Sequence, residues 1–187
     1  MSEIVSTVPA AQCLVPALPA LHLELRWYAV WTRSRHEKSV AGQLERKSVE
    51  TFLPVYETVR QWKNGRHRIA LPLFPGYAFV RIAQRDRLEV LKVPGVVRLV
   101  GFSGGTPTAL EDEEVEDLQR ALAQGVRAKP HPFLTVGRRV RVTAGPLAGR
   151  EGILVRRKGS QRLVLSINLI QRSILVETDT SELEPVG

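Results

Sequence analysis

Two groups of side chains in this chain carry the chemistry of recognition, and none carries the chemistry of catalysis. Basic residues gather at two places: Arg33, Arg35, His36 and Arg46 on and before a first helix, and Lys63, Arg66, His67 and Arg68 about a hairpin tip. Guanidinium and ammonium groups neutralise phosphates and release their counterions, so such clusters suit an anionic partner. The second group is aromatic: Phe74, Tyr77 and Phe79, with Trp31 placed to join them if its strand neighbours theirs. Each ring buries a large area at low entropy cost, which makes an aromatic cluster a binding anchor. The parts of an active site are missing. No glycine-rich phosphate loop follows a strand, the four histidines lack a nucleophile partner, and Glu111 to Asp117 reads as an acidic helix face. With one cysteine, Cys13, and no ligand spacing among the histidines, neither a metal nor a cofactor is expected.

The elements that must position these groups follow from periodicity. Trp27 to Trp31 is a continuous apolar run suited to a central strand buried on both faces. Ser34-Arg35-His36-Glu37 has capping-box spacing, and Val40, Ala41 and Leu44 share a helical face through about Lys47. A strand is predicted from Thr51 to about Trp62, a type I′ turn at Asn64-Gly65, and a returning strand from Arg68 to Leu73. Tyr77 to Ile82 reads as the next strand, Asp86 to Lys92 as a short helix stopped by Pro94-Gly95, and Val96 to Val100 as a further strand. A helix from about Leu110 to Gln124 follows the capping pair Thr108 and Glu111. The order β-α-β-β-α-β plus a terminal helix is the split βαβ pattern of ferredoxin-like sandwiches, an α+β arrangement. Residues 125–134, with Gly, Pro and basic residues and no period, are expected to be a linker, and 135–187 an all-β domain.

Composition sets the frame. Of 187 residues, 43% are hydrophobic and 25% charged, which suits a folded chain of one ordinary core or two small ones. The formal charge of +8 favours an anionic partner. Residues 1–23 make a poor signal peptide, because Glu3 replaces a basic start and Pro9, Pro16 and Pro19 interrupt any helix. A mobile extension outside the folded part and a reducing, cytoplasmic location are expected, with no membrane span.

One stretch specifies its backbone more tightly than the rest. Val140 and Val142 alternate with Arg141 and Thr143, Gly145-Pro146 supplies a turn, and Gly149 and Gly152 permit positive φ or close approach before a second strand near Ile153. This strand, turn, glycine, strand pattern resembles the KOW motif of small SH3-like barrels that bind nucleic acid, ribosomal proteins or the transcription machinery. The segment Leu73-Phe74-Pro75-Gly76-Tyr77-Ala78-Phe79-Val80 resembles the Phe-Pro-Gly-Tyr signature of the NusG family of transcription elongation factors. Trp27-Tyr28, Val93-Pro94-Gly95-Val96-Val97 and Ser166 to Arg172 extend the resemblance over about residues 25–186. The pairing of Arg35-His36-Glu37-Lys38 with Pro72 to Tyr77 is similar to the specialised UpxY-type antiterminators of polysaccharide operons.

The resemblance implies a first domain, residues 24–124, that binds the clamp helices of the largest RNA polymerase subunit and suppresses pausing and termination. Trp31, Phe74, Pro75, Gly76, Tyr77 and Phe79 are the residues it assigns there. It places Arg33, Arg35, His36, Arg46, Lys63, Arg66 and Arg68 near the non-template DNA of the transcription bubble. A His-Thr-Thr run used by specialised paralogues is absent from the matching stretch, Arg87-Leu88-Glu89. In the barrel it assigns Leu169, Ile170 and Arg172 to a NusE-type ribosomal protein or to Rho. Two adjacent large apolar residues on a short strand cannot both face inward, so one of Leu169 and Ile170 is expected outside, and Ile170 is taken as the outward, docking residue. Arg156, Arg157, Lys158 and Arg162 are candidate RNA contacts. A monomer is expected. The alternatives are a general NusG coupled to Rho, a ribosome-associated RNA-binding KOW protein, and an enzyme with an appended KOW module.

Overall fold

The computed structural model describes residues 23–102, 106–134, 137–157, 160–177 and 182–186. The N-terminal extension and the loop at Gly104-Gly105 lie outside the described residues. The chain is a mixed α/β protein with two antiparallel sheets and a separate two-stranded ribbon.

The first sheet has the order β2-β5-β1-β6, built from β1 (Leu25–Thr32), β2 (Glu50–Phe52), β5 (Tyr77–Ala83) and β6 (Val96–Leu99). β1 is central, and its register with β5 runs from Leu25 opposite Ala83 to Trp31 opposite Tyr77. Strand alternation sends Tyr28 and Val30 to one face, where α1 (Glu37–Arg46) contributes Val40 and Leu44 and α2 (Arg87–Leu91) contributes Val90. Trp27, Ala29 and Phe79 take the other face, against Val115, Leu118 and Ala121 of α3 (Asp112–Ala123). Both faces of β1 are therefore covered from Trp27 to Val30, as its apolar run implies, whereas Trp31 at the end of that run is exposed.

Three local expectations are corrected. The capping box does not form: His36 occupies the N-cap position of α1 without a side-chain cap, and Glu37 turns inward instead. Pro54 divides the long predicted strand into β2 and β3 (Val55–Trp62), since proline donates nothing to a ladder and its carbonyl instead accepts from the Leu73 N–H at 2.8 Å. At the hairpin of β3 with β4 (Gly65–Pro72), Lys63 and Asn64 make the turn and Gly65 alone takes a positive φ, 118°. A type I′ turn needs two such residues, so this turn is of another type.

The second sheet has the order β12-β8-β9-β10-β11-β7. Its strands are β7 (Ala128–His131), β8 (Arg138–Val142), β9 (Glu151–Arg157), β10 (Ser160–Ile167), β11 (Arg172–Glu177) and β12 (Leu183–Pro185). β7 falls inside the stretch expected to be a linker. It pairs with β11 from Ser173 opposite His131 to Val176 opposite Ala128, with Ala128 buried and Pro130 accommodated because the strand lies at the sheet edge. The core of this sheet, Val140, Val142, Leu163, Ile174 and Val176, is continuous with the α3 side of the first sheet. No helix among the described residues is long and apolar enough to cross a membrane.

Candidate functional site

The register of three strands builds a row across one end of the first sheet. β6 sets Arg98 opposite Trp31 and β5 sets Tyr77 opposite Trp31 on its other side. The Arg98 guanidinium lies 5.1 Å from the Trp31 ring centre, and Arg172 of β11 lies 5.8 Å from the Tyr77 ring centre. Trp31 is 40% exposed. Exposure of so large a ring beside a cation is the geometry of a recognition surface.

The loop that leads into Tyr77 is tied at every step. Tyr77 N–H donates to the Phe74 carbonyl at 3.0 Å, Thr32 N–H donates to the Gly76 carbonyl at 2.8 Å, and Gly76 N–H donates to Glu37 Oε1 at 2.8 Å. Gly76 has φ 85°, the left-handed region that glycine enters without strain. Glu37 is the residue that sequence reasoning assigned to a helix cap, and it serves the loop instead. Phe74 and Phe79, assigned with Tyr77 to the binding cluster, are both buried, in edge-to-face contact at 5.6 Å, and Phe79 also packs 6.1 Å from Phe52. Pro75 is exposed.

Arg33, Arg35, His36, Arg46, Lys63, Arg66 and Arg68 are all exposed. They sit on different elements and at different ends of them. Arg35 has a left-handed backbone, φ 64°, and His36 Nδ1 lies 3.0 Å from the Ser34 carbonyl, whereas Arg46 folds onto its own helix through a bond to the Gly42 carbonyl at 3.0 Å. The whole length of α1, about 15 Å, separates the two. The ribbon forms a third location. Its base is fixed to α1 by Lys38 Nζ, which donates to the Ala70 carbonyl at 2.6 Å.

In the second domain, Asn168–Ile170 is a 3-10 turn rather than a strand, followed by Gln171 at φ 49°. Side-chain alternation therefore does not apply, and Ile170 is buried where it was expected outside; Leu169 is half-buried and Arg172 exposed. The turn after β8 also faces the first domain. Arg150 Nε donates to Asp117 Oδ2 of α3 at 2.5 Å, and Phe74, Glu114, Leu118, Leu147, Arg150 and Ile153 are among the residues lining a cavity of about 450 Å³ between α3 and the strands. Burial raises the Glu114 carboxyl above its usual pKa; the Arg150 guanidinium works against this and Glu111 with it. The side chains of Arg156 and Arg157, and Lys158 altogether, lie outside the described residues, and Arg162 lies 3.4 Å from Glu177.

The family model for transcription termination factor nusG matches residues 25–119, and the model for the KOW motif matches residues 136–166. The chain belongs to the NusG family. It is 32% identical over 173 residues to the transcription termination/antitermination protein NusG of Escherichia coli, covering 85% of this chain and 95% of that protein. The NusG of Pseudomonas aeruginosa is 29% identical over 175 residues, covering 86% and 98%. Among solved structures, one described as domain interaction in Thermotoga maritima NusG aligns with a TM-score of 0.58 at 25% identity, over 88% of this chain and 98% of that one. The first NusG match spans the aromatic row and the loop before Tyr77. The KOW match spans the turn that carries Arg150.

Proposed function

We propose that this NusG-family chain is a transcription elongation and antitermination factor that docks on the clamp helices of the largest RNA polymerase subunit through Trp31, Pro75, Gly76 and Tyr77. Phe74 and Phe79 support that surface from beneath. The observation that carries this reading is the Arg98, Trp31, Tyr77 row, a half-open aromatic surface on an otherwise covered sheet. The strand order β2-β5-β1-β6 supports a ferredoxin-like first domain, and the antiparallel order of the second sheet supports an SH3-like barrel. The exposed basic residues of α1 and the ribbon face non-template DNA in this reading. Leu169, Ile170 and Arg172 dock a NusE-type ribosomal protein or Rho once the barrel leaves the first domain, because Arg172 lies over Tyr77 and Ile170 is buried while the two are packed.

Service to particular polysaccharide-type operons, in the manner of the UpxY-type paralogues, is the finer part of the proposal. The second reading is a general NusG elongation factor coupled to Rho, the name NusG being the one carried by the relatives in Escherichia coli and Pseudomonas aeruginosa. Binding of the full chain to core RNA polymerase tests the common part. Combined Trp31→Ala and Tyr77→Ala should weaken it by roughly 30-fold or more, a loss of about 2 kcal/mol or more; undiminished affinity of the folded variant removes the surface from consideration. Crosslinking the chain to polymerase across the genome separates one operon from many.

A further inference from the structure

The β3–β4 ribbon has two unlike faces. Cross-strand pairing of Gln61 with Arg66 and of Val59 with Arg68 places these four on one side, and the pairing of Arg60 with His67 and of Trp62 with Gly65 places Arg60, His67 and Trp62 on the other. The Trp62 and His67 ring centres are 5.1 Å apart, with planes inclined by 32°. Trp62 is nevertheless 55% exposed, and it belongs to neither hydrophobic core. A tryptophan held at the end of a ribbon, with His67 as its ring neighbour, contributes to neither core of the described residues. Its surroundings are cationic: among the described residues, Arg60, Lys63, Arg66 and Arg68 have no carboxylate within ion-pair distance, and Glu57 is the one acidic side chain on the ribbon.

We propose that Trp62, with His67 and Arg60 beside it, is a stacking platform for an unpaired nucleobase of single-stranded DNA, with Lys63 and Arg60 meeting the flanking phosphates. This rests on the reading that the ribbon faces nucleic acid and adds what it takes there. The charge selects a polyanion, and the indole selects its single-stranded form. A duplex offers base edges, which call for bidentate donors; the indole has one N–H and a broad flat face, and only an unstacked base presents a face to match it. Stacking is tolerant of sequence, so the platform recognises strand separation rather than a base order.

The test uses the full chain and fluorescently labelled oligothymidylate of about 12 nucleotides beside a duplex of the same length. Trp62→Ala should lower affinity for the single strand roughly tenfold and leave the duplex unchanged. Trp62→Phe should restore most of the loss. Arg66→Ala with Arg68→Ala should weaken both ligands and reduce the salt slope by roughly two. Circular dichroism of each variant checks that the ribbon change leaves the fold intact. Equal weakening of both ligands by Trp62→Ala, or none, overturns the stacking platform while the nucleic-acid reading stands. Failure of the unaltered chain to bind either ligand at low salt overturns both. Protection of Trp62 by polymerase alone, with no nucleic acid present, assigns the ring to a protein contact and also overturns the proposal.

Discussion

Glu37 shows how one side chain connects a helix start to a loop 39 residues away. Its carboxylate is buried and accepts the Gly76 N–H, which otherwise has no partner inside the loop. Glu37→Ala should therefore destabilise the chain by about 1–3 kcal/mol, whereas Glu37→Gln, which keeps an acceptor, should lose less. Urea midpoints of the two variants measure the difference. The same residue marks a limit of sequence reasoning, because Ser-x-x-Glu spacing is identical whether the carboxylate caps its own helix or reaches a distant backbone N–H. Phe79 marks another. That it shares a strand face with Tyr77, two residues before it, was legible, but which of the two lies under α3 depends on a packing partner more than 30 residues later. Phe79→Ala should cost about 3–5 kcal/mol as a core deletion, and Tyr77→Ala much less, so only the latter reports on binding. Thermal denaturation of the two separates these roles.

At the scale of elements, the turn between β8 and β9 repays its glycines in different ways. Gly145 and Gly149 have φ of 80° and 86°, while Gly152 lacks room: a Cβ there would lie 2.7 Å from Leu163 Cδ1 and 2.7 Å from the Val164 carbonyl oxygen. Gly152→Ala should destabilise the second domain by about 1–3 kcal/mol through overpacking against backbone, and loss of amide protection in β9 and β10 on hydrogen exchange would register it. This turn was readable because its glycines and proline act within a dozen residues. β7 was not. Ala128–His131 contains a proline and no alternation, and only its position against β11 makes it a strand. The ribbon was legible from Asn64-Gly65, yet the division at Pro54 that frees it from the main sheet shows only once β2 is seen paired to β5.

At the scale of the whole molecule, two cations fasten the domains together, Arg150 on Asp117 and Arg172 over Tyr77. Arg150→Glu places a third carboxylate beside Asp117 and Glu114 and should open the molecule, seen as a larger radius of gyration in solution scattering. Polymerase affinity should rise by the inverse of the fraction open before the change. Closure should also depend on pH. A carboxyl whose pKa is raised in the closed form binds its proton more tightly there, so closure is favoured in acid and weakens as pH rises from about 4.5 through the raised pKa of Glu114. Glu114→Gln should flatten that dependence in the same scattering experiment; a closed fraction that grows with rising pH would show that another group governs it. Such domain packing was not readable from sequence, since Asp117 and Arg150 each look like ordinary surface charges on their own elements.

Arg172 cannot lie over Tyr77 and on a second protein at once, so two encounters at different ends of the chain become one thermodynamic cycle. Under the proposed function, whatever factor a ribosomal protein or Rho contributes to polymerase affinity by capturing the barrel, polymerase must return to that partner's affinity unchanged. Neither ligand then acts as the signal and the other as the response. Each is equally a cause.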